Sequence, residues 1–481
     1  MVDLGKTELI KRIASLIGKD KIYVDPSIIK LYSREPSGLE AEELPLAVVF
    51  PENTSDVSRI VSFAYNYDVK IFPQGSLSSL SGSAVPVDRG IILSFERMNN
   101  IVEVNPVDNY VEVEAGVRID ELNLELNEYG YTFPVDPASS AVATIGGAIN
   151  SGAGGMRSVK YGTMRDWVLG LEVVFADSEG TIARIGCKTV KCRQGYDLTR
   201  LIVGSEGTLV VVTRAILRIT PLPENIVTML AFYESMDDLL GTVIELREKG
   251  IQPYILEFMD DKTVEVCTRL GNTKIKAEGN MLLLSLDTDY EATNRKISVL
   301  ENLAKKNNAK YIVVSRSIKE AEEKGLFDIR KSLFPSQVLY AKQVLGLERN
   351  PMVYIEDIAV PPSKLVDAIR EIRVLESRYS LPTLIGGHIG DGNIHPAVGF
   401  DPDNPSHRRR VEEWYFDVMK VALRLGGTIS AEHGIGLLKK KGLREELSLL
   451  GSEKAYRIMK QIKMIFDPRG ILNPSKVVDI E

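Results

Sequence analysis

Three histidine and glutamate side chains give this chain its clearest capacity for metal chemistry. His388 and His395 are separated by six residues, and Glu432 is followed directly by His433. The chain has only four histidines in 481 residues, and all of them lie between positions 388 and 433. Two imidazoles and one carboxylate form a typical ligand set for a catalytic divalent ion with an open position. We predict that His388, His395 and Glu432 bind a metal; the alternative is that they are polar hairpin residues without an ion.

The spacing of the first two histidines is typical of a β-hairpin. Asp391-Gly392 is a preferred two-residue hairpin turn, because both residues tolerate positive φ. That turn would place His388 opposite His395, with their Cβ atoms roughly 5 Å apart. One ion could then contact both rings.

Composition narrows the class of protein. The chain is 44% hydrophobic and 26% charged with a formal net charge of −7, which indicates a soluble protein of two or three lobes and no nucleic-acid partner. No apolar run approaches the ~20 residues of a membrane span, so we expect a cytoplasmic protein.

The three cysteines, Cys187, Cys192 and Cys267, are too few and too poorly spaced for an Fe–S cluster or a zinc ribbon. We predict free thiols in a reducing compartment.

The elements around these residues are predicted from hydrophobic periodicity. Buried strands at 46–50 and 69–72 flank a helix that is capped near Asn53. The second strand runs into a loop of small residues at 73–83, and a second such stretch occupies 134–165. Small residues let backbone N–H groups approach phosphate oxygens closely, so an extended phosphate-bearing ligand is one interpretation and plain loops are the other. Neither a G-x-G-x-x-G fingerprint nor a P-loop is present.

In combination, the motifs resemble the flavin-dependent D-2-hydroxyacid dehydrogenases, within the vanillyl-alcohol-oxidase-like FAD superfamily. That group includes D-lactate dehydrogenase and the catalytic subunit of glycolate oxidase. The resemblance covers nearly the whole chain and keeps the motif order. It rests on Leu80-Ser81-Gly82-Ser83-Ala84-Val85-Pro86, Ala143-Thr144-Ile145-Gly146-Gly147, Tyr161-Gly162, Gly195-Tyr196-Asp197-Leu198, Gly204-Ser205-Glu206-Gly207-Thr208-Leu209, Leu256-Glu257-Phe258-Met259-Asp260, the 388–395 segment, Glu432-His433-Gly434 and Asn473-Pro474.

The resemblance implies an α+β protein with a two-subdomain FAD-binding domain of the vanillyl-alcohol-oxidase type and an α+β cap domain. We expect an N-terminal helical segment at 1–40, the FAD-binding domain at 41–223 and the cap, or substrate, domain at 224–425. The C-terminal segment, 426–481, would return to complete the active site and the FAD domain.

The same resemblance implies which residues contact FAD. Those expected to do so are Pro73, Gly75, Ser76, Leu77, Ser78, Ser81, Gly82, Pro137, Thr144, Gly146, Gly147, Ser151, Gly152, Tyr161, Gly162, Glu206, Gly207 and Asn473. The family loop usually begins Pro-Arg-Gly-Gly-Gly-Thr-Gly, whereas this chain reads Pro73-Gln74-Gly75-Ser76-Leu77-Ser78-Ser79. Because no histidine precedes residue 388, a histidyl flavin link is impossible, and we expect non-covalent FAD.

The implied reaction is hydride transfer from the substrate Cα to flavin N5, assisted by a divalent Zn, Mn or Fe ion. His433 would accept the hydroxyl proton, and Arg330 would bind the substrate carboxylate, its alternative being a solvated helix arginine. Ile355 stands where relatives that oxidise hydroxyglutarate usually have lysine, which favours a small monoacid such as D-lactate or glycolate.

Several alternatives remain open from the sequence. The chain could be a D-2-hydroxyglutarate dehydrogenase, an oxidase of the same fold acting on a sugar, or a non-catalytic flavin-binding subunit of a larger redox complex. Sugar oxidases and such subunits usually lack the cap histidines, which this chain retains. The electron acceptor could be a quinone, a carrier protein or an Fe–S subunit. A homodimer and peripheral association with the inner face of a membrane also stay open.

Overall fold

The computed structural model describes residues 5–480 and divides the chain into two compact units. The first unit runs to Gly155, resumes at Gly162–Leu222 and resumes again from Glu432. The second unit consists of Met156–Tyr161 and Pro223–Ala431. Within the described residues, no helix is both long and apolar enough to cross a membrane.

The strands are numbered in chain order. They are β1 Ile22–Tyr23, β2 Ala47–Val49, β3 Ile71–Gln74, β4 Ile91–Ser94, β5 Ile101–Asn105, β6 Tyr110–Glu114, β7 Tyr131–Thr132, β8 Val168–Val174, β9 Ile182–Gly186, β10 Val211–Arg218, β11 Thr220–Pro221, β12 Asn225–Tyr233, β13 Ile255–Met259, β14 Asn280–Thr288, β15 Tyr311–Ser315, β16 Met352–Ile355, β17 Ile358–Ala359, β18 Thr383–Gly387 and β19 Asn393–Phe400.

The α-helices are numbered in the same way. They are α1 Lys6–Ile17, α2 Pro26–Leu31, α3 Thr54–Tyr67, α4 Ile119–Asn127, α5 Ile145–Ser151, α6 Ser158–Tyr161, α7 Met164–Trp167, α8 Leu198–Ile202, α9 Met236–Glu248, α10 Asp261–Leu270, α11 Thr293–Lys306, α12 Ile318–Lys324, α13 Asp328–Lys331, α14 Leu333–Leu345, α15 Leu365–Tyr379, α16 Pro405–Arg424, α17 Lys440–Leu449 and α18 Glu453–Phe466.

The first unit contains two main sheets. One has the strand order β1-β2-β4-β3, in which β2 and β3 both pair with β4 in parallel. The other, β5-β6-β10-β8-β9, is antiparallel throughout. The predicted strand–helix–strand unit is confirmed as β2-α3-β3. Asn53 caps α3 by accepting the N–H of Asp56 at 2.9 Å, and Val57 and Ile60 on its inner face are fully buried.

The second unit is built on one antiparallel sheet of order β15-β12-β14-β13-β18-β19-β16, with β17 also paired to β19. Its longest pair joins β12 to β14 in register from Asn225↔Thr288 to Tyr233↔Asn280. The sequence pattern predicts strands at 228–232 and 281–286, and the observed strands contain both ranges and extend beyond them. Buried Leu230, Leu283 and Met259 belong to a core cluster that packs on this sheet.

A buried lysine fastens the last helix of the first unit. Lys463 on α18 is 4% exposed, and its ammonium donates to the carbonyls of Thr208 (2.6 Å) and Leu472 (2.8 Å) and to Asp467 (2.5 Å). Burial lowers the pKa of Lys463, and the adjacent Asp467 carboxylate opposes that effect. One side chain thus joins three segments of the unit, including residues 255 positions apart.

The prediction of free thiols is wrong for two of the three cysteines. Cys187 and Cys192 form a disulfide with a Cα–Cα distance of 6.0 Å, and Cys267 is free and buried. The chain turns back on itself directly after β9, which brings residues five positions apart within the ordinary reach of a disulfide. The cysteine spacings that indicate an Fe–S cluster or a zinc ribbon carry no information about a disulfide between residues so close in the chain.

We expect Lys463→Met to lower the free energy of unfolding by about 3–5 kcal/mol, because Asp467 would remain as an uncompensated buried charge. Thermal and denaturant unfolding would measure the loss. Lys454→Met, at an exposed position of the same helix, is the matched control and should change stability by less than about 0.5 kcal/mol. Equal effects of the two substitutions would contradict the assignment.

Candidate active site

The first unit contains a cavity whose wall is made largely of small residues and backbone. Gly75 has no room for a side chain, since a Cβ there would lie 2.3 Å from the Thr144 hydroxyl oxygen. Gly146 is similarly constrained, with a Cβ position 2.8 Å from that of Ala115. The 73–80 loop and the start of α5 are therefore packed closely, and their main-chain groups line the cavity.

Most of the predicted cofactor contacts line this cavity. They are Pro73, Gly75, Ser76, Leu77, Ser78, Pro137, Thr144, Gly146, Gly147, Ser151, Glu206 and Gly207. Further lining residues that the sequence did not single out include Gln74, Ser79, Phe95, Asn150 and Val212. Glu432 and His433 belong to the same wall.

The remaining predicted contacts are not part of that wall. Ser81, Gly82 and Asn473 support it from behind: the Ser81 carbonyl accepts the N–H of Leu437, and Asn473 donates to the Ser83 carbonyl at 2.9 Å. Gly152 and Gly162 are also absent from the lining. Tyr161 belongs to the second unit, where its ring lies edge-on to Tyr254 at 5.9 Å.

The loop in which serines replace the family's glycines has a distinct local structure. Leu77 adopts a left-handed backbone with φ of 59°, a conformation that glycine adopts without cost. Hydroxyls of this segment contact one another, with Ser79 and Ser83 oxygens 2.7 Å apart. The loop thus keeps a positive φ without a glycine at that position and carries additional hydroxyl donors.

Glu206 ties the cavity wall to the segment that follows His433. Its carboxylate accepts the N–H groups of Ile435 (2.6 Å) and Gly436 (2.8 Å). Burial raises the pKa of Glu206 to about 7, while these N–H donors and the charge of Lys476 act in the opposite direction. Burial lowers the pKa of Lys476 to about 7, and its ammonium donates to the Val85 carbonyl at 2.6 Å.

In the second unit, the 388–395 segment is a hairpin, but its predicted register is wrong. His395 pairs with Gly386 rather than with His388, and the Asn393 N–H donates to the His388 carbonyl at 3.2 Å. The connection is therefore four residues long, 389–392, with a positive φ only at Gly392. The longer turn forms because Ile389 is fully buried and the Gly390 N–H points to the Leu256 carbonyl.

The register differs by two residues, an even number, so it leaves both histidines on the same face of the hairpin. The two rings are perpendicular, with centroids 5.1 Å apart, and both side chains are buried. Nδ1 of His388 lies 2.5 Å from a Glu257 oxygen, and Nδ1 of His395 lies 3.2 Å from the Glu356 carbonyl. This pattern is typical of metal-binding histidines, which use one ring nitrogen for an outer partner and coordinate through the other.

Glu257 is a functional candidate that sequence reasoning missed. It is fully buried on β13 and accepts from Arg330 Nε at 2.8 Å as well as contacting His388. Although burial raises the pKa of Glu257, the charges of His388 and Arg330 hold it below its usual range. Its partners stand 73 and 131 positions away in the chain, so no local motif could have indicated its role.

Arg330, predicted to bind a substrate carboxylate, is largely buried, with 18% of its side chain exposed. Its Nε donates to Glu257. Binding of a substrate carboxylate by its Nη atoms stays a prediction. A solvated surface arginine, the alternative, does not agree with this burial.

Two carboxylate–imidazole pairs lie near the predicted ligands. In the second unit, an Asp357 oxygen and a His395 ring nitrogen are within 4.8 Å of each other. In the first unit, His433 Nε2 is 3.8 Å from Glu432 Oε1. Asp357 was not among the predicted site residues, although it stands only two positions after Ile355. Such pairs supply the donor types that a divalent ion of the Zn, Mn or Fe class prefers.

Comparison with known proteins shows which families the chain resembles. Residues 45–186 match the FAD binding domain family, and residues 222–477 match the family described as FAD linked oxidases, C-terminal domain. The glycolate oxidase subunit GlcD of Bacillus subtilis is 37% identical over 91% of this chain and 89% of that protein. A D-lactate dehydrogenase of Archaeoglobus fulgidus is 35% identical over 90% of this chain and 91% of that protein.

Solved structures show the same fold at low identity. A p-cresol methylhydroxylase with bound substrate aligns with a TM-score of 0.80 and 18% identity, covering 99% of this chain and 98% of that chain. The 4-ethylphenol oxidase of Gulosibacter chungangensis gives 0.77 and 16%, with the same coverage. The predicted fold class is confirmed.

We expect Glu257→Gln to lower the free energy of unfolding by about 3 kcal/mol, because Arg330 would lose its buried charge partner. The ¹⁵N shifts of His388 should also move, since a neutral amide favours the Nδ1-protonated ring less than a carboxylate does. Glu323→Gln, at an exposed position of the same unit, is the control. Unchanged stability and unchanged His388 shifts would contradict this network.

Proposed function

The chain belongs to the FAD-linked oxidases, and we propose that this FAD-dependent oxidoreductase oxidises a small D-2-hydroxy acid to the 2-oxo acid. D-lactate is the first expected substrate and glycolate the second. Two relatives at 35% and 37% identity, named D-lactate dehydrogenase and glycolate oxidase subunit, support this substrate class. The observation that carries the proposal is the pair of buried rings of His388 and His395. A flavin-binding subunit without catalytic function does not need two imidazoles at this position.

The cavity of the first unit fits FAD. Its wall offers main-chain groups at Gly75 and Gly146, where a Cβ would collide with neighbouring atoms. Backbone N–H groups of the 75–80 segment would bind the pyrophosphate. The predicted N–H donors of Ile145 and Gly146 instead donate to the Val117 and Ala115 carbonyls within the unit. Cys187 and Cys192 are joined to each other, so neither sulfur can also form a flavin thioether, which agrees with non-covalent FAD.

The donor set also fits a divalent metal. His388 and His395 are buried, and each presents Nδ1 to an outer acceptor; we assign Nε2 of each ring as the coordinating atom. Glu432 would add the carboxylate. A His₂Glu set suits Zn, Mn or Fe, so we propose one of these ions.

The side chains would then divide the work of the reaction. When bound, FAD supplies the hydride acceptor, and a divalent ion supplies positive charge that makes a hydroxyl easier to deprotonate. His433 would accept the hydroxyl proton, since imidazole is the usual general base near neutral pH. Arg330 would hold the substrate carboxylate through its Nη atoms while Glu257 fixes its Nε. Glu257 would also keep His388 in the Nδ1-protonated tautomer.

The electron acceptor and the cellular location follow as further proposals. We expect a cytoplasmic protein that passes electrons to a quinone, a carrier protein or an Fe–S subunit. The relative named as a glycolate oxidase subunit supports an acceptor that is another subunit of a complex.

Anaerobic addition of D-lactate to the purified, metal-replete protein should bleach its oxidised-flavin absorption band. The matched control is L-lactate, which has the same charge and size but presents the opposite hand of Cα, and should leave the band unchanged. A yellow protein that D-lactate and glycolate both fail to bleach would overturn the substrate assignment. A protein that stays colourless after incubation with FAD would overturn the cofactor fit.

Glu432→Gln should reduce turnover by at least about 100-fold while leaving FAD bound, because losing a direct ligand should exceed the 10–100-fold cost typical of outer-shell changes. Turnover and the flavin spectrum would be measured on the same sample. Glu412→Gln, at an exposed position of α16, should behave as the wild type. Retained activity in Glu432→Gln would rule out the metal assignment.

A further inference from the structure

We propose that Asp357 is the positioning residue of the metal site: its carboxylate fixes the histidine hairpin and the 428–431 segment, which leads into Glu432, relative to each other. This inference rests on the proposed function, because it concerns the ligands assigned there. Asp357 is fully buried and lies between β16 and β17 in the second unit.

Both oxygens of this carboxylate accept hydrogen bonds. Oδ1 accepts from the Asn393 side-chain amide at 2.9 Å. Oδ2 accepts from the Ser430 hydroxyl and from the Ala431 N–H, each at 3.0 Å. The donors therefore come from two segments that are almost forty positions apart in the chain and that meet at one side chain.

Each of the two segments carries a predicted ligand. Asn393 stands between His388 and His395, and its amide also donates to the Ile358 carbonyl at 2.9 Å, so its orientation is set from two sides. Ala431 precedes Glu432 directly in the chain. Holding the Ala431 N–H therefore fixes the peptide from which the Glu432 side chain departs.

A carboxylate is the side chain this position requires. It accepts at both oxygens, whereas asparagine offers one acceptor and one NH₂ donor group. Whichever way an asparagine amide is turned, its NH₂ would face a donor, either Asn393 or the Ser430–Ala431 pair. With no solvent access at this position, at least one hydrogen bond would be lost, and one of the two segments would be released.

The neighbouring strand geometry supports the same role. β17 pairs with β19 at Ile358↔Ile394 and Ala359↔Asn393, directly beside Asp357, and Thr428 exchanges backbone hydrogen bonds with Ala359. The main chain thus already brings the hairpin and the 428–431 segment onto one short strand. Asp357 adds the side-chain contacts that fix their ends.

The test is Asp357→Asn in the FAD-loaded protein from which metal has been stripped, titrated with Mn²⁺ and followed by the EPR signal of the free ion. We expect a 10–100-fold weaker affinity, the usual effect of removing a partner that orients ligands. Glu376→Gln is the matched control: this carboxylate is also mostly buried in the second unit and accepts a backbone N–H, that of Thr383. It should lose stability but keep the wild-type Mn²⁺ affinity.

A second readout does not depend on the metal. Hydrogen exchange at the Ala431 amide should become at least tenfold faster in Asp357→Asn and stay unchanged in Glu376→Gln. Should the wild type bind no Mn²⁺, the metal assignment of the proposed function fails, and exchange at Ala431 alone decides the role of Asp357. Wild-type Mn²⁺ affinity in Asp357→Asn, or unaltered exchange at Ala431, would overturn the inference.

Should Asp357→Asn fail to fold, Ser430→Ala provides the milder variant. It removes one donor and leaves the carboxylate with two, so we expect a several-fold loss of Mn²⁺ affinity. An affinity equal to that of the wild type in this variant would count against the proposal.

Discussion

A carboxylate taken out of water must be met by donors, and this constraint organises the polar interior of both units. Glu206, Glu257 and Asp357 are each almost or fully buried, and each accepts from groups far away in the chain. Burying a carboxylate without donors would cost several kcal/mol of folding free energy. The fold must therefore place hydrogen-bond donors beside each of these acids. The geometry of the candidate site thus depends on these buried acceptors as well as on the residues predicted to bind the metal.

In both units, buried carboxylates accept hydrogen bonds from donors that are distant in the chain. In the first unit, Glu206 accepts a backbone N–H just beyond His433, and Glu35 accepts the N–H groups of Gly82 (2.5 Å) and Ala84 (3.2 Å) in the segment between β3 and β4. In the second, Glu257 receives one histidine and one arginine. Glu206 and Glu35 thus hold main-chain segments, Glu257 orients side chains, and Asp357 does both.

The sequence predicted those features that depend on local pattern. The strand–helix–strand unit and the paired long strands were predicted because period-2 and period-3.6 patterns are local. The hairpin register was wrong because burial of Ile389 and a contact of Gly390 with β13 override the preference of Asp-Gly for a two-residue turn. Glu257 and Asp357 were missed because an acid is assigned a role by its partners, and theirs are distant in sequence. The Cys187–Cys192 bond was missed because the turn after β9 left no signal beyond the spacing itself.

The three-part construction of the first unit has a consequence for the order in which the protein can be completed during synthesis. Residues up to Leu222 leave the ribosome before the second unit, yet their cavity loops are fastened by Lys463, Asn473 and Lys476. At about 5–20 residues per second, roughly 13–50 s separate those events. Throughout that interval every strand of the two main sheets of the first unit has been synthesised, but the cations and amides that contact its loops have not. The cavity wall of the first unit therefore stays incomplete until the segment with Lys476 has been made, whereas the second unit comes almost entirely from one continuous stretch that is synthesised earlier.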